Sequence, residues 1–160
     1  PRVLNVTETL DRTVELIGFQ GRLLNVSVDK DYRDGALHAM ASEAELKQVC
    51  VILLSNALDA QKDEGRLHLA AGTDNSCVWV RIRDSGPGIP PEILGRIFDP
   101  FFTTKPQGTG LGLSIARKIL ESLGGTLTLE HTGDQGTTFL MCLPKAAESG
   151  MPDAASSRSG

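Results

Sequence analysis

Aromatic residues are scarce in this chain of 160 residues: one tryptophan, one tyrosine and five phenylalanines. No apolar run approaches the length needed to cross a bilayer, and no basic-then-apolar leader precedes the body of the sequence. Positive charge is not in excess. The formal net charge is −4, with no basic stripe and no arginine cluster interleaved with aromatics, which argues against nucleic acid as a partner. The three cysteines, Cys50, Cys77 and Cys142, lie in apolar stretches without metal-ligand spacing, and are expected to be buried, reduced thiols of a cytosolic protein. A G-x-x-x-x-G-K-[ST] string is absent, so a P-loop is excluded. What remains, 40% hydrophobic and 22% charged, is enough for one globular domain with a real core and too little for two ordinary ones. Pro1 at the start suggests a piece of a longer protein.

Hydrophobic periodicity divides the chain. Val6, Leu10, Val14 and Ile17 recur at helical spacing over residues 5–20, with Asn5 or Thr7 as cap and Gly21 as a stop. Residues 23–28 alternate as a strand, 29–35 read as a polar turn, and 37–40 as a short second strand. Ser42 and Glu45 form a capping box that opens a long helix to about Gln61. A hairpin follows, 66–71 and 77–83, turning at 73–76. A helix over 111–123 ends at Gly124 and Gly125, and strands over 126–130 and 138–143 complete the set. Residues 145–160 lose all periodicity and read as a disordered tail, leaving 1–144 as the domain. This order predicts an α/β two-layer sandwich, a mixed sheet of about five strands covered on one face by three helices.

Three segments carry chemistry. Gly108, Gly110 and Gly112 alternate just before a helix, where a backbone without Cβ atoms can approach a triphosphate and the helix N-terminus favours negative charge. Their G-x-G-x-G spacing, preceded by Phe, Pro and Thr, is not the dinucleotide fingerprint. On the long helix Leu46, Val49, Cys50, Leu53, Ala57 and Leu58 make a core stripe, while Ile52, Asn56 and Asp59 share a neighbouring face. The Asn56 amide could bond a neighbouring loop or act as a hard oxygen ligand for Mg²⁺. Asp84 opens the run DSGPGI at a strand end. That run could be a plain turn; at a pocket edge, a carboxylate would accept from the exocyclic amine of adenine and reject guanine. Thr137 could support it, or simply form strand.

Taken in order, Asn56 within LLSNALDA, Asp84 within DSGPGI, FDPFFTTK over 98–105, GTGLGL over 108–113 and GTTF over 136–139 follow the N, G1, F, G2 and G3 boxes. Over about residues 5–144 the chain resembles the catalytic ATP-binding domain of two-component sensor histidine kinases, of the GHKL or Bergerat fold, with the short lid of the nitrogen-regulation-like subgroup. The resemblance implies that ATP and Mg²⁺ are the cofactors and that Asn56 binds the metal. It implies an ATP-binding set of Asn56 and Asp59; Asp84, Gly86, Gly88 and Ile89; Phe101, Phe102, Thr103, Thr104 and Lys105; Gly108, Thr109, Gly110, Leu111, Gly112 and Leu113; and Thr137. Asp84 would read adenine and Lys105 would meet a phosphate.

Two departures shape the expected activity. Ile52 stands where such kinases carry an earlier asparagine and related ATPases a glutamate that activates water; it can do neither, which favours phosphoryl transfer over hydrolysis. His38, His68 and His131 lack the context of a phosphoacceptor. No catalytic residue is therefore assigned on this chain. The nucleophile is expected on a separate dimerisation helical domain of the same parent, with a response-regulator receiver domain downstream; this domain is expected in the cytoplasm without direct membrane contact, with anchoring of the parent in the inner membrane left open. A GHKL serine kinase of the anti-sigma-factor type and a catalytically silent nucleotide-binding module are the alternatives.

Overall fold

A computed structural model describes residues 1–33, 35, 37–103 and 111–146. In chain order the elements are β1 Arg2–Asn5, α1 Val6–Phe19, β2 Asn25–Tyr32, β3 His38–Ala41, α2 Glu43–Ala60, β4 Glu64–Thr73, β5 Cys77–Asp84, a 3-10 turn Pro91–Arg96, α3 Gly112–Ser122, β6 Thr126–Gly133 and β7 Gly136–Pro144. The main sheet has the order β2-β4-β5-β7-β6. It is mixed, with β2 parallel to β4 and the other neighbours antiparallel. Three helices cover one face, as expected.

The caps are where the sequence puts them. Asn5 Oδ1 accepts the Glu8 N–H at 3.3 Å, Ser42 Oγ accepts the Glu45 N–H at 3.5 Å, and Gly21 ends the first helical turn region with a φ of 82°. Alternation does the rest. Val78, Val80 and Ile82 of β5 and Phe139, Met141 and Leu143 of β7 point at the helices, where they bury against Leu46, Leu53, Leu54 and Leu120. Burying each such side chain stabilises the fold by about 1.5–3 kcal/mol.

Four expectations need correction. Residues 29–32 are not a turn: β2 runs on to Tyr32, pairing Asp29 with His68 and Tyr32 with Ala71. An edge strand tolerates this polar run because its outer side is solvated, and Tyr32 anchors it, packing on the core and donating its hydroxyl to Asp11 at 2.8 Å. β1 was not anticipated. It pairs antiparallel with β3, from Arg2 opposite Ala41 to Asn5 opposite His38, in a separate two-stranded sheet. β6 extends past His131 to Gly133, with an irregularity between Leu129 and His131. Of the thiols, only Cys50 is buried, its pKa pushed up to about 12 by burial; Cys77 and Cys142 are half-buried. Among the described residues no helix is long and apolar enough to cross a membrane.

Candidate functional site

One large cleft, about 1140 Å³, opens between the outer face of α2 and the segment from the end of β5 to the start of α3. The core stripe of α2 fixes the rotation of that helix. With Leu53, Leu54, Ala57 and Leu58 buried, Ile52, Asn56 and Asp59 are turned to the cleft wall. Asn56 is half-buried there, its amide oxygen of the hard type that suits Mg²⁺ beside phosphates. Among the described residues no cluster of three or more His, Cys, Asp or Glu side chains could hold a metal by itself. A Mg²⁺ bound by one protein oxygen and a triphosphate needs none.

The opposite wall is built from strand ends. Asp84 closes β5 and is 3% exposed. Its Oδ1 accepts the Gly86 N–H at 2.9 Å and the Thr137 N–H at 3.1 Å. Burial raises the carboxyl above its ordinary range, while these two N–H groups and then the Arg83 charge pull it back. Both N–H groups meet one oxygen, which fixes the carboxylate at the cleft edge. Gly136 makes this possible: its φ is 136°, and a Cβ there would overlap the Asp84 carbonyl oxygen. Thr137 and Thr132 share a hydrogen bond of 2.8 Å, and Thr132 Oγ1 accepts the Ile89 N–H at 2.9 Å, which holds the glycine-rich run against β6.

Phe98 packs edge-on against Phe139, with ring centroids 6.2 Å apart, and the Arg117 guanidinium of α3 lies over its ring at 4.0 Å. Arg96 lies over the Phe102 ring at 4.5 Å. The segment 98–102 is thus held by two cations, with Phe102 on the cleft wall.

Of the sequence-derived set, Asn56, Asp59, Asp84, Gly88, Ile89, Phe102, Thr103, Gly112, Leu113 and Thr137 line this one cleft. Gly86 lies just behind it, and Leu111 precedes α3 without lining the wall. Phe101 is turned away, 74% exposed, with φ of 68°. Thr104, Lys105, Gly108, Thr109 and Gly110 lie outside the described residues. The sequence did not point to Arg22. It lines the cleft and pairs with Asp59 and Asp63, each at 2.7 Å, and those contacts raise its pKa, the Asp63 hydrogen bond most. A pairing across 41 residues leaves no local trace.

A two-layer sandwich whose cleft is walled by a helix-borne amide and a strand-end carboxylate is the architecture of a Bergerat-type ATPase domain. Residues 41–147 match the model of the "Histidine kinase-, DNA gyrase B-, and HSP90-like ATPase" family, and the chain belongs to it. It is 32% identical over 142 residues to sporulation kinase A of Bacillus subtilis, covering 89% of this chain and 23% of that protein. It is 34% identical over 148 residues to the sensor protein FixL of Bradyrhizobium diazoefficiens, covering 88% and 29%. The chain therefore spans about a quarter of these relatives. The nucleotide-free catalytic domain of histidine kinase ThkA superposes with a TM-score of 0.81 at 35% identity, covering 89% of this chain and 94% of that one. ThkA in complex with the response regulator protein TrrA superposes at 0.77 and 32% identity, covering 90% and 41%.

Proposed function

We propose that this chain binds Mg–ATP in the α2–β5 cleft and presents the γ-phosphate to a histidine on a separate helical dimerisation domain of the same parent protein. The observation that carries the reading is the meeting, in one cleft, of Asn56 from a helix and Asp84 from a strand end. Adenine sits against Asp84, whose remaining oxygen accepts from the exocyclic amine. The Asn56 oxygen would hold Mg²⁺, which would supply charge neutralisation at the phosphates. Phe102, Thr103, Gly112 and Leu113 border the phosphate end. Ile52 offers no base for water, so the triphosphate is held for another nucleophile. In the transfer, a neutral imidazole nitrogen bonds to the γ-phosphorus as the bond to the β–γ bridging oxygen breaks, ADP leaves, and the other ring nitrogen releases its proton to solvent. This chain contributes position and electrostatics.

Residues 1–144 constitute the domain. In this reading the chain works in the cytoplasm, where ATP is available, and a receiver domain accepts the phosphoryl group in turn, in keeping with the ThkA–TrrA complex. The test is to mix the chain with the parent's histidine-bearing helical domain and γ-labelled ATP. Label that is lost in acid and retained in alkali supports the reading. Acid-stable phosphoserine on a partner, or tight binding with no transfer, overturns it.

A further inference from the structure

The corner between α2 and β4 is built at a conformational cost. Lys62 and Asp63 have φ values of 55° and 56°, a backbone region that non-glycine residues rarely occupy, and here two do so in succession. Arg22 fastens the corner from outside through Asp59 and Asp63. Immediately before it comes Gln61, a polar side chain only 6% exposed. Its Oε1 accepts both donors of Ser85, the backbone N–H at 2.8 Å and the hydroxyl at 3.3 Å. Ser85 Oγ in turn accepts the Arg66 N–H at 2.9 Å, which joins β4 to the same knot.

The other end of Gln61 is unsatisfied. Nε2 is fully buried and has no hydrogen-bond partner among the described residues. A buried donor without an acceptor weakens a fold, so what the amide contributes here lies in the two bonds that Oε1 accepts from Ser85. A methionine of similar volume would fill the place without that penalty. The half of the amide that is used is the half that grips Ser85, and Ser85 lies between Asp84 and Gly86, the two residues that set the carboxylate.

We propose that Gln61 is a positioning residue for base recognition: by holding both donors of Ser85 it fixes the Asp84–Gly86 turn, so that the carboxylate meets a 6-aminopurine in one orientation. The helix that carries Asn56 is thereby tied to the loop that reads the base. Discrimination between a 6-amino and a 6-oxo purine then depends on a residue that touches neither. This inference rests on the reading of Asp84 as the adenine contact.

Calorimetric titration of the whole chain with ATP and with inosine triphosphate, both with Mg²⁺, tests it in the parent sequence, Gln61→Met and Ser85→Ala. Gln61→Met weakens ATP binding about tenfold, the worth of one well-made hydrogen bond. It leaves inosine triphosphate binding nearly unchanged. Ser85→Ala keeps the backbone bond and loses the hydroxyl, so it narrows the ratio less, in the same direction. An unchanged ratio in Gln61→Met, or equal losses for both nucleotides, overturns the role of Gln61. If Gln61→Met does not fold, Ser85→Ala decides, and an unchanged ratio there overturns it too. A parent chain that binds both triphosphates equally overturns the adenine reading of Asp84, and this proposal with it.

Discussion

Replacing Asp84 with asparagine separates what this residue does for the fold from what it does for the nucleotide. The carboxylate is buried and its Oδ1 is committed to the Gly86 and Thr137 N–H groups. Asparagine satisfies those donors with its carbonyl oxygen, which turns its NH₂ toward the cleft. An acceptor facing the adenine amine becomes a donor facing a donor. Loss of a hydrogen bond to a charged group costs roughly 1.5–3 kcal/mol, and the two opposed donors add to it. ATP affinity should fall by about 3 kcal/mol, a factor of roughly 100. The same NH₂ can donate to the guanine carbonyl, so GTP affinity should rise while ATP affinity falls.

The fold responds in the opposite sense. Burial raises the Asp84 pKa, so its contribution to stability is fully present below the ordinary aspartate value of about 3.9 and is lost as pH rises through the higher folded value. At neutral pH the ionised carboxylate is a net cost, and asparagine removes it. The unfolding midpoint of nucleotide-free Asp84→Asn at pH 7 should equal or exceed that of the parent, and the difference should shrink as the buffer is taken to acid. Calorimetry for the two nucleotides and thermal melts at several pH values give both readings. Unchanged ATP affinity would remove Asp84 from base recognition. A large fall in the apo midpoint would show that the carboxylate is structural and that the electrostatic reasoning has the wrong sign.

Two further variants probe the rest of the cleft. Asn56→Ala should abolish the magnesium dependence of ATP binding, and a titration that still responds to Mg²⁺ as the parent does would place the ligand elsewhere. Gly88→Ala should destabilise the chain by about 2 kcal/mol or more in urea unfolding, because φ is 86° and a Cβ would overlap the Gly133 carbonyl oxygen; a midpoint within error of the parent would show that the run moves freely.

Local signals were legible and long-range ones were not. Asn5, Ser42, Gly21 and the paired glycines after α3 mark helix ends through chemistry confined to three or four residues, and the helices fall where those residues put them. Asn56 stood out because it breaks an apolar stretch of α2 and Asp84 because it opens a glycine-rich run at the end of β5, and each lies on the cleft wall. β1 was missed because four residues carry no period of their own; their strand character comes from β3, 33 to 39 positions away. The end of β2 was misread because Asp29, Lys30 and Asp31 look like a turn until β4 supplies the partner. Arg22 and Gln61 act through Asp63 and Ser85, which only the fold brings near.

The outermost strand on one flank of the main sheet, β2, shows solvent a row of alternating acid and base, Asp29, Lys30 and Asp31, with Lys30 held by Asp11 at 2.8 Å. Another backbone arriving there to add a rung would have to strip water from three ions to gain a few amide bonds. That margin is therefore a seam unfavourable to sheet extension and fibril growth.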